Sequence, residues 1–159
     1  MSFRRYLIIF FILVSAAAAV FYVGLKDKTG KKPETQSVST IQAHIDSLGF
    51  TFDVADTDAL RQKGLGGRVA LSPGQGMLFV FDHPDQYGFW MKDMLFSIDI
   101  LWLDDRGSIV TIAADVSTST YPQIFYPQAP SKYVVEILAG ESEKNHLKIG
   151  DKFFFQNNI

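Results

Sequence analysis

Between residues 50 and 54, apolar and polar side chains alternate, Phe50, Phe52 and Val54 against Thr51 and Asp53. A period of two predicts a strand with one face in a core. The pattern then changes: Asp56 or Thr57 can cap a short helix, Ala59, Leu60 and Gln62 favour one, and Gly64 can take the left-handed conformation that closes it. Residues 77–81 are continuously apolar, as in a strand buried on both sides. Residues 98–103 and 108–112 flank Asp104, Asp105, Arg106 and Gly107, a break rich in Asp and Gly between β-branched runs that signals a hairpin. Residues 133–139 and 152–155 supply two more strands, bordered by glycine turns at Gly140 and Gly150. The expected fold is mainly β, a β-rich α+β domain built on a compact, curled antiparallel or mixed sheet, or a barrel-like one, with one or two short helices.

Ahead of the domain, residues 6–25 form a run of 20 residues without a charge. As a helix rising about 1.5 Å per residue, it reaches about 30 Å, the thickness of a bilayer core. It has no polar face, which argues against a helix packed on a soluble core. Arg4, Arg5, the apolar residues 7–14 and the alanines at 16–19 also fit a cleavable signal peptide, but apolarity continues through Val20, Phe21, Val23 and Leu25 and favours an uncleaved anchor. An anchor leaves the domain on the extracytoplasmic side of the cytoplasmic membrane, and cleavage leaves it periplasmic or secreted. The four lysines after the segment oppose this orientation, while the short Arg-bearing N-terminus favours it. Residues 26–40, polar and containing Gly30 and Pro33, read as a flexible tether, so that the expected organisation is 1–25 anchor or signal, 26–40 linker and 41–159 domain.

Composition narrows the function classes. Cysteine is absent, which removes disulfides, thiolate metal sites and thiol nucleophiles. Residues 1–40 hold six Lys and Arg against Asp27 and Glu34, leaving nine basic and 15 acidic residues from position 41 onward. Such a domain repels a phosphate backbone, so nucleic acid is not an expected partner. His44, His83 and His146 stand far apart and give no metal-binding spacing. Neither a nucleophile elbow nor a phosphate-cradling loop occurs, and no cofactor is expected.

The candidate chemistry lies in charged residues set among apolar ones or glycines. Arg68 follows Gly64, Leu65, Gly66 and Gly67; its guanidinium can grip a carboxylate or phosphate, or close the loop with a structural ion pair. In extended chain Trp90 and Lys92 share one face and Phe89 and Met91 the other. An indole beside an ammonium can bind a sugar ring, a peptide or an anion, or Trp90 can pack while Lys92 reaches past it to solvent. Asp99, between Ile98 and Ile100, needs a partner if its strand is central, and Lys92 or Arg68 could supply it. Glu136 interrupts an apolar strand in the same way. Two buried carboxylates in different surroundings can act as acid and base, or fix packing through ion pairs.

These residues carry a resemblance to a known family. Gly64, Leu65, Gly67 and Arg68, then Gly76, Met77, Leu78, Phe79 and Phe81, then Phe89, Trp90, Met91 and Lys92, then Ile98, Asp99 and Ile100, with Glu136, Ala139, Gly140, Gly150 and Asp151, resemble the ordered motifs of domain of unknown function 192, DUF192, which comprises small exported or membrane-tethered proteins. Gly66, Asp93, Met94, Ser97 and Ile98 stand where that family usually has Met, Asn, Thr, Pro and Leu. The resemblance implies a β-rich fold and no particular reaction, substrate or cofactor. Three functions stay open. The first is a binding module for a small polar or anionic ligand, a peptide end or an envelope glycan, using Arg68, Trp90, Lys92, Asp93 and Asp99. The second is a hydrolase or lyase using Asp99 or Glu136 with Lys92 and Arg68. The third is a membrane accessory protein that recruits a partner.

Overall fold

The computed structural model describes residues 38–156. The anchor or signal expected at residues 1–25, and the tether up to residue 37, lie outside the described residues. Among the described residues, no helix is long and apolar enough to cross a membrane.

Strands β1 (Thr40–Ile45), β2 (Leu48–Ala55), β3 (Gln75–Asp85), β4 (Ile98–Leu103), β5 (Ile109–Val116), β6 (Ser131–Leu138) and β7 (Phe154–Phe155) form one curled sheet in the order β5-β4-β6-β3-β2-β1-β7. All the pairings are antiparallel except β2 with β3, which makes the sheet mixed. Two short helices accompany it, α1 (Asp58–Lys63) and α2 (Glu141–Lys144). Curling brings the two edges together: Ser108 pairs with Lys152, and Phe153 N–H donates to Gly107 O at 2.9 Å. The hairpin expected around residues 104–107 forms between β4 and β5, with Asp104 Oδ1 accepting from Arg106 N–H and Ser108 N–H. Gly107 is needed there twice over, for its φ of +83° and because a Cβ would lie 2.7 Å from Phe153 O.

Two cores follow from the strict alternation of side chains. The inner one gathers Ile41, Ala43 and Ile45 from β1, Phe50, Phe52 and Val54 from β2, Leu78, Leu101, Leu103, Val135 and Ile137, and is plugged by Phe153. The outer one holds Met77, Phe79, Ile98, Ile100, Trp102 and Val134 under a cover of Leu65, Met91 and Met94. Each large side chain so buried contributes about 1.5–3 kcal/mol. Every residue of β4 is buried, because it is covered on both faces. The strand expected at residues 152–155 is shorter than foreseen, its regular part being two residues long, since Lys152 already bridges to the far edge of the sheet.

Asp99 is wholly buried on the inner side of β4. Its partner is neither Lys92 nor Arg68, the cations expected from the sequence, but three backbone amides. Asp99 Oδ1 accepts from Asp115 N–H at 2.8 Å and Gly140 N–H at 3.2 Å, and Oδ2 accepts from Ser142 N–H at 2.8 Å. A bulge aims the first of these, as Ala114 and Asp115 together oppose the single Asp99 in the β4–β5 ladder. The other two lie at the start of α2. Asp99 thus joins β4, the β5 bulge and the β6–α2 turn. Replacing Asp99 by Asn turns one acceptor into a donor facing an N–H group, and urea unfolding is expected to show a loss of about 2–4 kcal/mol. A loss below about 1 kcal/mol would contradict this role.

Candidate functional site

On the outer face of the sheet, paired positions run Asp53, Met77, Glu136 and Ile100 across β2, β3, β6 and β4. Two carboxyl groups therefore share a largely apolar surface. Arg68 reaches one of them, its guanidinium lying 2.5 Å from Asp53 Oδ2. The pair is partly exposed and contributes about 1 kcal/mol at most. Glu136 is left without it.

The cover over Glu136 is built by local rules. Thr57 Oγ1 caps α1 by accepting from Leu60 N–H, and Gly64, at φ +51°, closes the helix by donating to Leu60 O at 2.9 Å. Leu65 then drops into the outer core, and Gly67 N–H donates to Asp93 O at 2.8 Å, joining this turn to the loop of residues 87–94. That loop is pinned by reciprocal bonds between Phe89 and Phe125, by Trp102 Nε1–H donating to Tyr87 O, and by the burial of Met91 and Met94. Trp90 and Lys92 consequently face outward, Trp90 being 49% exposed with its ring edge-on to Tyr121.

Between α1 with its glycine turn and this loop lies a cleft of about 260 Å³, lined by Phe79, Phe81, Tyr87, Phe89, Trp90, Met94, Arg61, Lys63, Lys92 and Glu136. Glu136 is 4% exposed, and its Oε2 meets no hydrogen-bond partner among the described residues. Burial pushes its carboxyl up to about 8, against the opposing pull of the Arg68 charge. Burial also raises the Tyr87 hydroxyl, helped by the Asp85 and Asp82 carboxylates. Arg61 is fully engaged, bonded to Asp56 O, Val80 O and Asp58 and lying over the Phe81 ring. Lys63 and Lys92 make no ion pair among the described residues.

The sequence-based candidates therefore separate. Trp90, Lys92 and Glu136 share the cleft. Arg68 stands beside it, held by Asp53. Asp93, at φ +58°, contributes its carbonyl to the loop contact, and its side chain does not line the cleft. Asp99 and Glu136 cannot work together as acid and base. Glu136 pairs with Ile100, so the adjacent Asp99 projects to the opposite face. A further buried acid had no signal of its own in the sequence. Glu141 Oε1 accepts from Gly74 N–H at 2.9 Å, Oε2 has no partner among the described residues, and burial raises its carboxyl. Its position follows only from the glycine turn that starts α2. Among the described residues no group of three or more His, Asp or Glu could hold a metal ion.

Comparison with known proteins agrees with this architecture. The model of the family DUF192, described as an uncharacterized ACR, matches residues 40–155. No curated protein matches the chain at a significant level. A crystal structure from Sinorhizobium meliloti 1021, of a protein described provisionally as a transcription regulator, is 25% identical with a TM-score of 0.71, over 75% of this chain and 95% of the other. A protein of unknown function from Novosphingobium aromaticivorans DSM 12444 is 27% identical with a TM-score of 0.64, over 74% of this chain and 84% of the other.

The folded state keeps the Glu136 proton over a range in which the unfolded chain, titrating near 4.3, has lost it. Stability should accordingly fall as pH rises from about 5 to about 8, by as much as 1.4 kcal/mol per pH unit and a few kcal/mol in all. Glu136→Gln copies the neutral acid and should flatten that decline, becoming the more stable protein by about pH 9. Parallel stability profiles for the two proteins would show that Glu136 is not held neutral.

Proposed function

The chain belongs to the DUF192 family, and from that premise we propose that its domain is a binding module for a small polar ligand, carried on the extracytoplasmic side of the cytoplasmic membrane. The observation that carries the reading is the unpartnered Oε2 of Glu136 at the base of an open cleft with aromatic walls. Buried polar groups in native proteins are nearly always hydrogen-bonded, and one left without a partner beside a cleft marks a place for a ligand atom. Trp90 supplies a platform at the mouth and Lys92 a charge beside it. Residues 6–25 support the tether to the membrane, with a cleaved signal and a periplasmic or secreted domain as the other form of the same export. The acidic excess from residue 41 onward argues against nucleic acid as the partner.

A second reading, an enzyme in which Glu136 transfers a proton, is favoured by the same carboxyl, since a titration near 8 suits acid–base work at neutral pH. It has less support. Among the described residues the only other carboxylate lining the cleft is Asp58, which is exposed and paired with Arg61.

A fragment screen by NMR on the full chain separates these readings. Bound fragments should shift the amides of Gly64, Gly66 and Gly88 and the Trp90 indole, and Trp90→Ala should weaken them about tenfold, the effect of losing roughly 1.4 kcal/mol of ring contact. Hits confined to other surfaces would overturn the binding reading, and fragments converted during the experiment would favour the enzyme.

A further inference from the structure

We infer that the cleft takes its ligand ammonium-first, as a small amphiphilic amine whose cationic head meets the Glu136 carboxyl at the aromatic-walled floor and whose anionic or acceptor-rich far end lies among the lysines at the mouth. This rests on the binding reading above and adds the class of ligand.

The floor offers an acidic oxygen and no free cation. Arg68 is held at Asp53, and Arg61 by two carbonyls and Asp58, so no positive group of the described domain bonds to Oε2. The neighbours of Glu136 across the sheet, Met77 and Ile100, are uncharged. Around the cleft the remaining titratable groups are Asp58, paired with Arg61, and Lys63 on α1, and Tyr87 and Lys92 on the facing loop. Ring faces attract cations and disfavour anions. The Phe81 ring is already engaged, by Arg61 at 5.3 Å and by the stacked Tyr87 at 3.5 Å, which leaves Phe79 and Phe89 beside the head group and Trp90 at the mouth.

Access to the floor depends on Gly64. A Cβ there would lie 3.5 Å from Phe79 Cζ and 3.9 Å from Glu136 Oε2, so a side chain at this position would occupy the space above both. At about 260 Å³ the cleft is smaller than the roughly 300–1,000 Å³ of drug-sized sites, and suits a ligand of few atoms. Lys63 and Lys92, without ion-pair partners among the described residues, disfavour a ligand cationic at both ends and suit one whose far end is anionic.

The chemistry of seating is a proton exchange. Below about pH 8 the empty site holds a neutral carboxyl; as the ammonium arrives, its N–H groups donate to the Glu136 carboxyl, which ionises, and its proton passes to solvent. Amine affinity must then rise with pH up to that point. A ligand entering with an acceptor requires the proton to stay, and its affinity must fall.

The test is calorimetry on the full chain with hexylamine, ε-aminocaproate and caproate, matched in length and differing in their ends. Hexylamine and ε-aminocaproate are expected to bind, ε-aminocaproate more tightly. Their affinity should rise by up to about tenfold per pH unit between about pH 6 and about pH 8, with up to one proton released as read from two buffers of different ionisation heat. Glu136→Gln, which keeps the fold, should remove the pH dependence and weaken both amines. If caproate binds more tightly than hexylamine, or affinity falls as pH rises, the head group is an acceptor and the inference is overturned while the binding reading stands. If neither amine binds, the inference is overturned, and the binding reading is decided by the fragment screen.

Discussion

A strand buried on both faces can carry an acidic side chain only if something offsets the loss of water, and β4 and β6 impose that condition on this fold. The domain meets it in two different ways. Asp99 gathers three backbone N–H groups, from a bulge and from the first residues of a helix, and so ties three segments to one point. Glu136 gathers nothing comparable and instead holds its proton. The contrast explains why two carboxyls from neighbouring strands have different fates: one is part of the frame, and the other is left for chemistry.

The geometry around Glu136 follows from the same sheet. Asp53 and Glu136 lie on one face with Met77 between them, and the Arg68 guanidinium is bound to Asp53, the more exposed of the two. Arg68 still influences Glu136 through its charge, opposing the rise that burial causes without cancelling it. The glycine turn that delivers Arg68 also places no side chain over the Glu136 carboxyl at Gly64, so that one short segment both stabilises the cover and shapes the cleft.

Much of the frame was legible in the sequence because it depends on local rules. The alternation at residues 50–54, the Asp and Gly break at 104–107 and the apolar run at 77–81 each report a strand or turn through its own residues. β1 was less visible: Ile41, Ala43 and Ile45 do alternate, but they follow directly on a polar stretch and take their meaning from pairing with β2. Trp90, Lys92 and Glu136 could be named as candidates because a charged or large aromatic residue in an apolar run is conspicuous. What could not be read was their grouping. Whether Arg68 faces Asp53, Glu136 or Asp99 depends on register across four strands, and the parity that separates Asp99 from Glu136 exists only once β4 and β6 are paired. Backbone amides as partners for Asp99 are likewise invisible in a chain of side-chain letters.

The central claim is that Glu136 is a neutral, unpartnered acid at the floor of an open cleft, and its carboxyl carbon can be followed directly by NMR in selectively labelled full-length protein. The predicted titration has a midpoint near 8, moved upward again when Arg68 is replaced by Ala, because the opposing charge is then gone. A midpoint in the ordinary carboxylate range near 4.3 would contradict the account, since it would mean that the group is solvated or paired rather than open to a ligand.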